Sequence, residues 1–224
     1  MPAFQAICDL LHRRGASGAS VLLGVDGTRH GRRTRATFFG RNAEVPMMII
    51  AVGDGPVISR ILPELGGLLR DPLLTLERVR VCKRDGELLT RPHTLPETDE
   101  RGLAMWQKLM VYTSQSATYE GRPLNLEIIR RLRLSEAAGV TSLRGVWGFH
   151  GDHRPHGDRF LQLRRHVPVL TISVDTPERT AAAFEIIDEL TAEQGLVTSE
   201  MVPAMSALSA ERSVGGLKLA RHDF

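Results

Sequence analysis

Residues 139–159 read Gly-Val-Thr-Ser-Leu-Arg-Gly-Val-Trp-Gly-Phe-His-Gly-Asp-His-Arg-Pro-His-Gly-Asp-Arg, an apolar run carrying Gly145 and Gly148 that breaks into a loop dense in His, Asp and Arg. A short apolar run bounded by glycine suits a strand, and the Gly- and Pro-rich polar stretch after it cannot continue as a helix. The segment therefore predicts a strand delivering a binding loop. Residues 18–35 have the same layout. Pro2, Leu11, Ala16, Gly18, Leu22, Gly24, Val25 and Gly27 match Pro123, Leu132, Ala137, Gly139, Leu143, Gly145, Val146 and Gly148 at a constant spacing of 121 residues. Val45-Pro46 and Val52 match Val167-Pro168 and Val174 at 122, and Thr75, Glu77 and Val79 match Thr198, Glu200 and Val202 at 123. One-residue insertions in loops account for the drift. A repeat this long is a domain with its own core, not a solenoid unit.

Each copy can be read by periodicity. Phe4, Ile7, Cys8 and Leu11 fall at i, i+3, i+4 and i+7, and Leu124, Ile128 and Leu132 repeat that stripe, predicting a first amphipathic helix. A strand follows (Val21–Val25 or Ser142–Val146), then the polar loop, then a second strand (Met47–Val52 or Val169–Val174). Ile58, Ile61, Leu62, Leu65 and Leu69 mark a second helix in copy one; Phe184, Ile187 and Leu190 mark it in copy two. There Thr176 is placed as N-cap and Pro177 at the first helical position. A last strand, Leu74–Cys82 or Leu196–Val202, closes each unit.

Copy two alone has an opening strand, Lys108–Thr113. Its order is strand, helix, strand, strand, helix, strand, the βαββαβ arrangement of the ferredoxin-like fold. The expected class is α+β, with two such domains in tandem and the first lacking its N-terminal strand. The expected boundaries are 1–82 for the first copy, 83–105 for a turn-rich, charged linker, 106–205 for the second copy and 206–224 for a tail. Gly216–Arg221 of the tail resembles Lys108–Met110 and is expected to supply the missing strand, from the same chain or a neighbour. Both faces of Met47–Val52 are apolar, which predicts association between repeats or chains.

The 224 residues are 42% hydrophobic and 25% charged, ordinary globular proportions, and the net charge of +3 matters only where it concentrates. Two cysteines, Cys8 and Cys82, argue against a disulfide framework and a thiolate zinc site. No apolar stretch approaches the roughly 20 residues that span a bilayer. A soluble, cytoplasmic protein is the expectation.

Gly139–Phe149, Val167-Pro168-Val169, Asp175-Thr176-Pro177-Glu178 and Gly195-Leu196-Val197-Thr198, in that order, resemble the PII-like proteins grouped as domain of unknown function 190. The likeness covers nearly all of copy two and, more weakly, copy one from its first helix. It implies a ferredoxin-like fold, trimeric packing of domains in a homo-oligomer, and a long regulatory loop after the second strand. It carries no established activity. Some members are associated with fluoride-exporter genes, so a membrane transporter or another protein is an expected target. Copy one departs from the pattern, with Asp26 at the position of Trp147 and Thr28 at that of Phe149.

Two loops hold the candidate sites. Arg29, Arg32, Arg33 and Arg35 lie within seven residues beside Gly24 and Gly27, a cluster suited to phosphate or carboxylate because guanidinium binds both bidentately. In copy two Arg144, Gly145, Gly148 and Arg159 are the counterpart effector residues, and His150, Asp152, His153 and His156 offer imidazole and carboxylate ligands for a divalent metal. Walker and dinucleotide fingerprints are absent. No nucleophile, base and oxyanion arrangement is legible. RNA binding is disfavoured, because Leu109 and Val111 stand where RNA-recognition domains present aromatics. The expected function is therefore a non-enzymatic regulator, without a required cofactor and without a nucleic-acid partner. It is expected to bind a small anionic effector, an adenine nucleotide in the first instance, at interdomain clefts with loop switching. A metal-binding or ion-tolerance protein using the His/Asp loop is the alternative.

Overall fold

The computed structural model describes residues 1–29, 32–35, 45–69, 72–151, 154–157, 167–208 and 213–222. In chain order the elements are α1 (Ala3–Arg13), β1 (Gly18–Leu23), β2 (Asp26–Arg29), β3 (Arg32–Arg35), β4 (Met47–Val52), α2 (Gly55–Leu68), β5 (Arg80–Arg84), β6 (Glu87–Leu88) and β7 (Trp106–Ser114). There follow β8 (Thr118–Tyr119), β9 (Arg122–Pro123), α3 (Leu124–Leu134), β10 (Val140–Arg144), β11 (Trp147–His150), β12 (His156–Gly157), β13 (Pro168–Asp175), α4 (Pro177–Leu190), β14 (Leu196–Val202), β15 (Ser206–Leu208) and β16 (Ser213–Gly215). The class is α+β, with four helices and antiparallel strand pairs among the described residues.

The sequence spacing reappears in the elements. Helices α1 and α3 both have 11 residues and begin 121 apart; α2 and α4 both have 14 and begin 122 apart. Both first helices end in the same backbone motif. Ala16 N–H donates to Leu11 O at 3.0 Å and Ala137 N–H to Leu132 O at 3.1 Å, each spanning a residue in the left-handed region. That residue is Gly15 in one copy and Glu136 in the other, and only glycine adopts this conformation without steric cost. Thr176 caps α4 as expected, its Oγ1 accepting from Arg179 N–H at 3.4 Å.

The described chain divides into two compact units, and neither is a contiguous copy. One comprises Met1–Thr75, Thr113–Ser116 and Leu143–Leu170. Its sheet has the order β12-β11-β1-β4. Ala19 and Val21 of β1, Phe149 of β11, and Ile7, Cys8, Leu11, Ile61 and Leu65 of α1 and α2 form its core. Thus β1, from copy one, lies between its own partner β4 and a strand from the loop of copy two.

The other unit comprises Leu76–Tyr112, Ala117–Ser142 and Thr171–Phe224. Its sheet runs β10-β13-β7-β14-β5-β6. Leu109, Val111 and Val197 from the strands meet Leu124, Ile128, Leu132, Phe184, Ile187 and Leu190 from α3 and α4 in one core. Lys83 is buried and satisfied, its Nζ lying 2.5 Å from both the carboxylate and the backbone oxygen of Asp188. A buried ammonium needs such a partner, since desolvating it alone is costly.

Three expectations change. The opening strand of copy two forms as β7, but the tail does not replace its counterpart. Residues 216–221 form no strand: Ala220 N–H donates to Pro203 O at 2.7 Å, Arg221 N–H donates to Asp99 Oδ2 at 3.2 Å, and Ala220 packs with Leu95 and Met105. Those backbone groups are therefore spent away from β4. The last strand of copy one is not Leu74–Cys82 but Arg80–Arg84. In copy two the corresponding strand β14 pairs with the opening strand β7, which has no counterpart in copy one among the described residues. Leu73, Leu74 and Leu76 are exposed, and Met48 of β4, an edge strand among the described residues, is 61% exposed.

The third change concerns the linker, which is packed. Asp99 Oδ1 accepts from Arg101 N–H and Leu103 N–H, both at 2.9 Å, and Oδ2 accepts from the Arg101 guanidinium at 2.8 Å. Arg101 also donates to Leu219 O at 2.7 Å, so one carboxylate and its partner fasten linker and tail together. Burial alone would raise the Asp99 pKa. The Leu103 N–H, the Arg101 guanidinium and the Arg221 N–H outweigh it and bring the pKa down to about 2.

Candidate functional site

The two repeated glycine-rich stretches fold as equivalent hairpins. In copy one Asp26 pairs with Arg35 and Gly27 with Thr34; in copy two Trp147 pairs with Gly157 and Gly148 with His156. What fixes each hairpin is the repeated Gly/Pro pair. Gly24 N–H donates to Pro46 O at 3.1 Å, and Gly145 N–H donates to Pro168 O at 2.8 Å. The glycines exist for close approach. A Cβ on Gly24 would lie 2.2 Å from Pro46 O, and one on Gly145 would lie 2.7 Å from Pro168 Cγ and 2.9 Å from Val21 O. At Gly148 it would lie 2.2 Å from Ala19 O. The amide of Gly145, an expected effector residue, is thus bonded to Pro168 O.

The hairpins differ in what they touch. Trp147 meets Phe4 edge-on at 6.1 Å and Phe149 meets His12 edge-on at 5.1 Å, both rings packing under α1. Their role is packing, and they seat β11 along β1. In copy one β2 and β3 form a separate two-stranded ribbon among the described residues. Strand alternation and the cross-strand register put Asp26, Arg33 and Arg35 on one face. Arg33 and Arg35 are exposed. Arg33 Nε donates to both Asp26 oxygens, at 3.0 and 3.1 Å, and its Nη2 also reaches Oδ2. That bond lowers the Asp26 pKa and raises that of Arg33. Arg29 and Arg32 are opposite each other near the turn, with Arg29 at the end of β2 and Arg32 opening β3.

In copy two Arg144 ends β10 and is exposed, and His150 ends β11 and is buried. His156 Nδ1 lies 2.6 Å from Arg154 O. Asp152, His153 and Arg159 lie outside the described residues. Among the described residues no three His, Cys, Asp or Glu side chains come together.

Sequence reasoning missed three features. Asp26 registered only as a lost aromatic, although it is the partner of Arg33. Glu127, nearly buried, accepts from Arg130 Nε at 2.8 Å and Arg131 Nε at 3.0 Å. Arg131 reaches on to Glu189 at 2.8 Å and lies 5.0 Å above the Tyr119 ring. The Arg130 hydrogen bond holds Glu127 down at about 2 against its burial. Glu-to-Arg spacings of three and four residues on a helix were the available signal. Lastly, Ala138, Gly139, Thr141, Ile172, Val174 and Met205 line an open depression of about 460 Å³. Cys8 and Cys82 are fully buried, which pushes both thiols up to about 12 and leaves them protonated core residues.

The profile of the DUF190 family, described as an uncharacterized ACR, matches residues 1–81 and again 106–204. The chain belongs to the DUF190 family. Its two matched segments bracket the packed linker, and each contains one Gly/Pro hairpin. A curated relative, a UPF0166 protein of Aquifex aeolicus (strain VF5), is 27% identical over 94 residues, covering 42% of this chain and 88% of that protein. Among the described residues no helix of this DUF190 chain is long and apolar enough to cross a membrane.

Proposed function

We propose that this DUF190 protein is a non-enzymatic, PII-like regulator built from two tandem ferredoxin-like domains, and that it binds a small anionic effector on the arginine hairpin of copy one. The observation that carries the reading is the exposed pair Arg33 and Arg35 on one face of a ribbon that contributes a single carboxylate, Asp26, to that face. Guanidinium groups displayed this way suit a phosphate, and Asp26 is displaced when a doubly charged anion offers Arg33 better partners. Support for the fold comes from the sheet order β10-β13-β7-β14 with α3 and α4 packed on one face. An adenine nucleotide is the first effector to test, with a protein target as output.

The test is a thermal-shift screen of nucleotides and divalent metals, followed by calorimetry. ATP is expected to raise the melting temperature, and replacing Arg32, Arg33 and Arg35 together with Ala is expected to abolish that shift. Equal ATP affinity in the triple variant overturns the site. A shift given only by divalent metals, and removed by chelator, overturns the anionic effector.

A further inference from the structure

The two copies place their equivalent strands in unequal situations. Within one chain, Trp147–His150 lies antiparallel on Gly18–Leu23, in the register His150 to Gly18, Phe149 to Ala19, Gly148 to Ser20 and Trp147 to Val21. The repeat assigns a counterpart to each partner. Asp26–Arg29 stands 121 residues before Trp147–His150, and Gly139–Ser142 stands 121 residues after Gly18–Val21. Asp26–Arg29 and, from Val140 onward, the second counterpart fold as strands, yet they belong to separate sheets, and each has an open outer edge among the described residues.

Burial records the difference. Ala19, Ser20 and Val21 are at most 2% exposed, whereas of their counterparts Val140 and Ser142 are half-buried and Thr141 is exposed. Val146 N–H donates to Val21 O at 2.9 Å, while its counterpart Val25 is 76% exposed. An open strand edge is a template for pairing, and a chain carrying one free donor strand and one free acceptor edge of matching geometry can satisfy both with a copy of itself.

We propose that Asp26–Arg29 of one chain pairs with the open edge of Gly139–Ser142 in a second copy of this chain, in the register Arg29 to Gly139, Thr28 to Val140, Gly27 to Thr141 and Asp26 to Ser142. The chemistry changes on both sides together. Trp147 packs on Phe4 within the chain; in the contact between copies those positions hold Asp26 and Asn125. Phe149 packs on His12, and those positions hold Thr28 and Arg133. Aromatic pairs become polar pairs, so the contact between chains is a weaker version of the internal one. Each contact joins unlike surfaces, and the assembly is a closed ring, the reciprocal dimer being the smallest, or a filament.

The full chain is tested by sedimentation over a range of concentrations and by disulfide trapping. An antiparallel partner pair has Cα atoms about 4.5–5.5 Å apart, within the range a disulfide accepts. Mixing Asp26→Cys protein with Ser142→Cys protein under mild oxidation is expected to give the mixed disulfide dimer in excess of either homodimer. Cys8 and Cys82, fully buried, do not compete. Val25→Pro, which removes the amide equivalent to that of Val146, is expected to weaken self-association about tenfold or more at an unchanged melting temperature. A wild-type chain that stays monomeric at every concentration overturns the proposal. So does an associating chain whose cysteine variants give no mixed dimer, because another occupant then covers the edge.

Discussion

The two Gly/Pro hairpins began as one motif and now hold different positions. In copy two the hairpin is embedded: Phe149 is 3% exposed in a core shared with α1, and Gly148 crosses the backbone of β1 too closely for any side chain. In copy one the hairpin stands as a ribbon of its own, with Asp26 and Arg33 paired and Arg35 exposed. The same Gly-to-Pro hydrogen bond anchors both, so the difference comes from two positions. Aromatic side chains at 147 and 149 pack under α1 and bury their strand, where the equivalent positions 26 and 28 hold Asp and Thr. Scaffold and display are thus separable properties of a single repeat.

Truncating an aromatic should break the comparison most severely. Phe149→Ala opens a cavity in the core of its unit and is expected to cost about 3–5 kcal/mol by denaturant unfolding, enough to lose cooperative folding of that unit. Next comes the close approach. Gly148→Ala forces a Cβ against the rigid backbone oxygen of Ala19 and should cost about 2–3 kcal/mol. Gly27→Ala meets the Pro46 ring at 2.7 Å, a neighbour that can shift, and should cost about 1 kcal/mol or less. Equal losses at Gly148 and Gly27 would mean that the two hairpins are equally embedded.

The shared helix terminus sharpens the comparison without touching the loops. Gly15→Ala is expected to destabilise by about 1 kcal/mol, and Glu136→Gly, at the equivalent left-handed position, to stabilise by somewhat less than about 1 kcal/mol. Melting curves of the two variants should move in opposite directions.

The smallest effect concerns acid. Asp26, Asp99 and Glu127 all have folded pKa values below their ordinary ones, so the stability each contributes is complete above the unfolded pKa near ~4 and is lost as the pH falls through the folded value. For Asp99 and Glu127 that window runs from roughly 4 down to about 2. Asp99→Asn should flatten the fall in melting temperature across it and make the tail easier to cleave at neutral pH. Asp26 is held by an exposed pair, which solvent screens, so Asp26→Asn should leave melting unchanged. Removing that carboxylate should instead tighten anion binding at Arg33 about threefold or more, as read by calorimetry.

Much of the fold was legible because local periodicity carries it. The heptad-like stripe of Phe4 to Leu11, the Thr176-Pro177 helix start and the apolar run of Met47–Val52 all lie where the sequence puts them. The candidate site was legible only as composition. Four arginines in seven residues signal an anion, but not that Asp26 sits across the ribbon from Arg33 and Arg35. The histidines signalled metal chemistry, but sequence gives neither the burial of His150 nor the carbonyl beside His156.

By itself the sequence determined the repeat, the identity of its helices and strands and the Gly/Pro anchor, because these depend on side-chain period and on backbone room that only glycine provides. The tertiary structure decided which strand lies beside which. Arg80–Arg84 pairs with β14, and β1 lies beside a strand from copy two. Edge-to-edge pairing is set by which backbone groups would otherwise go unbonded, a property of the whole assembly of strands that no local stretch of sequence contains.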